Sequence, residues 1–335
     1  IRKIYTSIQA NEEWYDDAKP ITEIAIVYPK SIHHIREDKD LRAAVRMLSE
    51  LKQQFDVVTL ASDWSKYEVL VFPDNVLFDG ETAKRVRQHL NEGKAVISTG
   101  FSGLDSEKKG FALELEWGIK YLGENPFDPA YFSVGDNYSE GLPDMPLSLY
   151  SNGIDIEVLG DTRVEARLVK PYHNRCWDGE YAFYYNPPDK VTDSPALTIN
   201  AQVAHFSHRI FSGYHDKASV ELRTVFSNVL NHFFPKPLVK AENLQSFARV
   251  FVTEQPRRRM VHLLSYLPEM RGNTQMIEEP IELSNVTLSL RQDDKNIQNI
   301  YLAPQKERLA YSIEGGYIHI KVPKSKGYSL LVIEE

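Results

Sequence analysis

The residues that could do chemistry gather in three places. Behind the apolar run Ala95-Val96-Ile97 the chain turns through Gly100-Phe101-Ser102-Gly103, and a nucleophile held in such a strand-to-loop turn attacks acyl groups when a base stands beside it. Ser102 is the candidate nucleophile and His215 the candidate base. The spacing opposes them, because the nucleophile elbow needs a glycine two residues to either side of the serine, and Leu104 stands where the second one belongs. His205, His208 and His215 form the densest histidine group. Zinc requires three or four ligands converging at about 2.0–2.3 Å, and His205 and His208, three apart on a strand, leave by opposite faces. We therefore expect no metal. The third place is Tyr172 to Pro188, where Trp177, Tyr181, Phe183, Tyr184 and Tyr185 crowd a loop-rich stretch. Flat rings with polar tips suit sugar stacking or a subunit contact, and they equally suit filling the seam under a long loop. Paired acids such as Asp16-Asp17 and Asp293-Asp294 sit in polar turns and read as solvated. Glycoside hydrolysis needs two carboxyls about 5–10 Å apart, and no such pair can be placed in this sequence.

Composition narrows the class. A chain of 335 residues, 42% apolar and 26% charged, holds a sizeable core and suggests two soluble globular domains. A net charge of -8 argues against a nucleic-acid partner. The one basic cluster, Arg257 to Arg259, follows Pro256 between apolar runs and reads as a solvated hairpin turn. The single cysteine, Cys176, allows neither an internal disulfide nor a cysteine metal cluster. No cofactor is expected. With no run near 18 apolar residues and no charged-then-apolar leader, neither a membrane span nor a signal peptide is expected, which is compatible with the cytoplasm or the periplasm. The first residue is Ile1, so the natural start is expected to lie upstream.

The elements that would position these groups follow from periodicity. Val69 to Phe72, an amphipathic segment carrying Ala83, Val86 and Leu90, and Ala95 to Ile97 make a βαβ unit whose continuous apolar strands indicate a parallel sheet covered on both faces. In such sheets ligands bind beyond the carboxyl ends of the strands, which is where the turn at Gly100 falls. Ile24 to Tyr28 and Phe55 to Leu60 add strands, and Leu41 to Leu51 a helix. From Gly110 to Gln202, short runs such as Tyr131 to Val134, Ile154 to Leu159 and Val164 to Val169 read as mostly antiparallel strands extending the sheet. Ala218 to Phe233 is the clearest helix, and Pro235 and Pro237 close the domain. Beyond it seven short strands predict a small β-sandwich, with Ile318, Ile320 and Val322 buried and Tyr317, His319 and Lys321 wet. Residues 1–19 read as a linker, 20–236 as one domain and 237–335 as the second.

This order of pieces resembles the part of certain glycoside hydrolases that follows the catalytic barrel, a beta-galactosidase trimerisation domain and a small C-terminal β-domain. The residues that carry the resemblance are Ile24 to Pro29, Leu70 to Pro73, Gly93 to Ile97, Phe101 to Gly103, the helix Tyr214 to Phe234, Val261 to Leu264 and Gly327 to Glu334. It implies a flavodoxin-like, class I glutamine amidotransferase-like α/β domain followed by an all-β sandwich. In catalytic amidotransferases of that fold a cysteine stands in this turn, and the matching position here is Phe101. A phenyl ring cannot attack an amide, so the resemblance implies a fold kept and a chemistry lost, with a general-base position near His215-Asp216 left without its nucleophile. It also implies a homo-oligomer, a catalytic barrel of the same protein as partner, possible carbohydrate contact, and a parent enzyme of beta-galactosidase or alpha-fucosidase type.

Overall fold

The computed structural model describes residues 2–29, 38–175 and 186–335. The chain forms two compact units. One comprises Glu23–Met47 and Asp56–Pro235, the other Ile1–Thr22, Leu48–Phe55 and Lys236–Glu335. No helix among the described residues is long and apolar enough to cross a membrane.

The first unit is built on a nine-stranded sheet in the order Phe55–Thr59, Ile24–Tyr28, Val69–Phe72, Ala95–Thr99, Val203–Phe206, Pro188–Asn200, Arg163–Pro171, Tyr131–Val134 and Leu147–Ser148. Its centre is parallel: Ile24–Tyr28 pairs with Val69–Phe72, that strand with Ala95–Thr99, and Ala95–Thr99 with Val203–Phe206. Every residue of the first three of these strands is buried, as continuous apolar runs require, and each fully buried Val, Ile or Leu contributes about 1.5–3 kcal/mol. Beyond Val203–Phe206 the pairing turns antiparallel.

The helix Gly80–Asn91 starts where Asp79 accepts the Thr82 N–H at 2.8 Å, and it stops before Gly93 at φ +80°. The helix expected as one piece from Tyr214 to Phe234 is two, Ile210–Lys217 and Val220–Phe233. Ala218 breaks it by adopting φ +50°, and the Ser219 hydroxyl then caps a fresh start by accepting the Leu222 N–H. Of the stripe the spacing predicts, Leu222, Val225, Phe226, Val229 and Leu230 are buried, whereas Ala218 is exposed and Phe233 half-buried.

The second unit is all-β. Its six-stranded sheet runs Lys19–Pro20, Arg249–Gln255, Arg258–Leu264, Tyr328–Glu334, Asn299–Ala303, Glu307–Arg308, and its four-stranded sheet Val239–Glu242, Val286–Arg291, Tyr317–Val322, Tyr311–Glu314. One apolar cluster draws Val250, Val261 and Leu331 from the first sheet and Leu288, Ile318 and Ile320 from the second. A strand overlaps each of the seven expected runs, and Val239–Glu242, Glu269–Arg271, Thr274–Met276, Glu282–Leu283, Glu307–Arg308 and Ser325–Lys326 are additions.

Two expectations fail here for reasons of hydrogen bonding. Tyr317 is buried instead of wet, because its hydroxyl donates to the Pro237 carbonyl at 2.8 Å and the Lys240 ammonium lies 4.4 Å from its ring centre. Arg259 is 1% exposed, whereas the basic triplet reads as solvated. Its guanidinium meets the Glu335 carboxylate and donates to the Arg291 carbonyl at 2.6 Å, which replaces the lost water.

The opening residues, read as a linker, belong to this unit. Arg2–Ala10 is a helix, Trp14 is buried with Met260, Tyr301, Leu330 and Val332, and the Ile21 N–H donates to the Val252 carbonyl. Lys52 adds three bonds of its ammonium, to the carbonyls of Gln245, Ser246 and Ala248, at 2.8–3.1 Å.

Candidate functional site

The turn at the end of Ala95–Thr99 is held by backbone bonds. The Gly100 N–H donates to the Phe206 carbonyl, the Phe101 N–H to the Asp74 carbonyl, both at 2.8 Å, and the Ser102 N–H to Thr99 at 3.1 Å. Gly100 sits at φ +59°, and a Cβ there would lie 2.6 Å from Arg209 Cγ and 2.9 Å from the Asp74 carbonyl oxygen, so only glycine fits. Phe101 occupies the position implied for a nucleophile. Its ring is 5% exposed and packs in the apolar cluster with Leu104, Phe111 and Trp117, while the Lys108 ammonium lies 4.6 Å from the ring centre.

Ser102 is fully buried, and its hydroxyl accepts the Val76 N–H at 2.9 Å. His215 stands on the helix Ile210–Lys217 with Nδ1 3.2 Å from the Asp216 carboxylate, which in turn takes the Lys39 ammonium at 2.9 Å. No hydrogen bond joins Ser102 to His215 among the described residues. The serine is held by a backbone amide and the histidine by an acid, so this geometry offers no route for a base to activate the hydroxyl.

Sequence reasoning missed the group that organises this crevice. Asp74, fully buried and at φ +52°, accepts from the Thr99 hydroxyl at 2.6 Å, the Ser212 hydroxyl at 2.6 Å, the Ser212 N–H at 2.7 Å and the Phe211 N–H at 3.3 Å. One carboxylate thus ties together the ends of two parallel strands and the start of a helix. Burial pushes its pKa up to about 6 in spite of the hydrogen bonds that favour the charged form. The signal was visible as Pro73-Asp74-Asn75 directly after an apolar strand, where polar residues also make an ordinary turn. Beside it lies a cleft of about 210 Å³ whose walls include Tyr28, Asp40, Asn75, Arg209 and Ser212.

The histidine group is dispersed. His205 Nδ1 shares a 2.9 Å hydrogen bond with the Ser98 hydroxyl, which also accepts the Trp117 indole N–H at 2.9 Å. His208 Nδ1 shares one with the Ser207 hydroxyl at 3.0 Å. Burial pushes both imidazoles down to about 3, so both are neutral at ordinary pH. Among the described residues no three His, Cys, Asp or Glu side chains are placed to hold a metal ion. The aromatic candidates Trp177, Tyr181, Phe183, Tyr184 and Tyr185, like Cys176, lie outside the described residues.

Residues 23–118 match the family described as the beta-galactosidase trimerisation domain. The structure is similar over 98% of its length to alpha-L-fucosidase isoenzyme 2 from Paenibacillus thiaminolyticus, with a TM-score of 0.88 and 27% identity, and covers 51% of that chain. It shares the fold of a GH42 beta-galactosidase from G. stearothermophilus at a TM-score of 0.62 and 17% identity, over 99% of this chain and 43% of that one. A beta-galactosidase of Bifidobacterium bifidum is 40% identical over 52 residues, which are 16% of this chain and 8% of that protein. Residues 23–118 of the α/β unit are therefore similar to a beta-galactosidase trimerisation domain, in a chain that spans about half the length of the solved glycosidases it is similar to.

Proposed function

We propose that this chain is the non-catalytic C-terminal portion of a glycoside hydrolase of beta-galactosidase or alpha-fucosidase type. Its α/β unit, of flavodoxin-like and class I glutamine amidotransferase-like architecture, assembles copies of the protein and braces a (β/α)₈ catalytic barrel carried elsewhere on the same polypeptide. The β-sandwich completes the module, and residues 1–19 lead into it from the barrel. The observation that supports this reading most is Phe101: the position where the fold would present a nucleophile carries a packed phenyl ring. Ser102, the neighbouring alternative, has its hydroxyl turned to a backbone amide in the core. With Phe101 packed at that turn, support and association are the roles this reading assigns to it.

The test is sedimentation velocity of the purified chain together with an assay on aryl galactosides and fucosides. A trimeric mass without turnover is the expected result. Turnover that disappears on Ser102→Ala would overturn the reading.

A further inference from the structure

We propose that the α/β unit carries a saccharide-binding pocket walled by Tyr131, Tyr150, Asn186 and Lys217, which shares no residue with the sealed turn at Gly100–Gly103. The cavity has a volume of about 710 Å³, within the roughly 300–1,000 Å³ usual for small-molecule sites.

Its walls are assembled by the antiparallel end of the sheet. Tyr131 opens the strand Tyr131–Val134 and stands opposite Ser148 in register, so the two share one edge of the pocket. The Tyr131 hydroxyl donates to the Asn186 backbone carbonyl, which fixes the ring as a wall. Lys217 closes the helix Ile210–Lys217. The Arg175 guanidinium, also on the wall, is held by Asp128 at 3.0 Å.

Two observations distinguish this cavity from a gap in the packing. Asn186 is 2% exposed, its amide NH₂ donates to the His173 carbonyl at 3.0 Å, and its side-chain oxygen has no partner among the described residues. A buried acceptor left in that state costs about 1–3 kcal/mol, and a donor brought by a ligand would relieve it. Tyr150 presents its ring at 49% exposure from a backbone at φ +57°, a conformation that large side chains rarely adopt and that concentrates at binding sites.

The lining chemistry selects the ligand class. It supplies donors from Lys217, Arg175, Tyr150 and Ser148, an acceptor from the Asn186 side chain, and tyrosine faces, with no carboxylate on the wall among the described residues. A pyranose answers all of these at once, because each hydroxyl both donates and accepts while the C–H face of the ring lies on an aromatic plane. An inorganic anion would engage the two cations and leave the amide oxygen and Tyr150 idle.

The experiment is saturation-transfer NMR on the full chain with galactose and with fucose, repeated on Tyr150→Ala and Lys217→Ala and with sulfate as competitor. Transfer to at least one sugar is expected, with affinity lowered about tenfold in Tyr150→Ala and reduced in Lys217→Ala, and with sulfate displacing little. No transfer from either sugar at about 50 mM, beyond the millimolar range of weak sites, overturns the proposal. So does binding that both variants leave unchanged, or complete displacement by sulfate.

Discussion

The α/β unit holds two concave regions of opposite character. At the turn Gly100–Gly103 the carboxylate and the hydroxyl are already engaged: Asp74 takes four donors, Ser102 takes the Val76 amide, and the Phe101 ring packs in the apolar cluster. The cavity at Tyr131 and Tyr150 is open, and its Asn186 oxygen lacks a partner among the described residues. Hydrogen bonds closed within the chain stabilise the fold and are lost to a ligand, whereas groups left incomplete cost stability and are open to one. Similarity of fold points to the first region, and the state of the polar groups points to the second.

Asp74→Ala should break that contrast most sharply. It strips the acceptor from two hydroxyls and two backbone amides, and the α/β unit should lose about 3–5 kcal/mol in urea unfolding. Tyr150→Ala should cost under about 1 kcal/mol, being half exposed. Equal losses in the two variants would erase the distinction between scaffold and pocket.

Acid should act next most strongly, and through the buried crevice. His205 and His208, held near 3, resist protons that the unfolded chain takes up below about 6.5, so their stabilisation is present above that value and is lost as pH falls. Asp74 works the other way: its pKa near 6 lies above the unfolded value of about 3.9, so it favours folding at the acid end of that window and loses this contribution as pH rises through 6. Two histidines outweigh one acid, and the thermal midpoint of the unit should decline from pH 6.5 to pH 4. A flat profile would mean that the histidines are hydrated.

Ser102→Ala comes third. It leaves the Val76 amide without an acceptor and should cost about 1–2 kcal/mol, and on the function proposed above it removes no turnover. His215→Ala should be the mildest, within about 0.5 kcal/mol, because its contact with Asp216 lies near the surface. A measurable hydrolysis that either variant abolished would reopen the serine route.

Legibility followed hydrophobic pattern. Val69 to Phe72 and Ala95 to Ile97 read directly as buried strands because nothing but apolar side chains can occupy both faces of a covered sheet. The strand Pro188–Asn200 escaped because Pro188, Asp189, Lys190, Asp193 and Pro195 give it the composition of a loop, and its pairing with Arg163–Pro171 carries several register shifts that accommodate them. Val239–Glu242 was hidden by its brevity and by Pro237 before it. The role of Asp74 was invisible for a different reason. Its donors lie at positions 99, 211 and 212, and no local spacing shows that two distant segments converge on one carboxylate. Tyr150 likewise gives no sign in the sequence that its backbone is left-handed.

The distribution of the all-β unit over Ile1–Thr22, Leu48–Phe55 and Lys236–Glu335 has a consequence for anyone who cuts the gene. A fragment begun at residue 237 would lack the edge strand Lys19–Pro20, the Trp14 plug and the Lys52 ammonium that gathers three carbonyls. On the ribosome the same topology sets an order of events: the pieces made first must wait, incomplete, until the last strand, Tyr328–Glu334, has been translated.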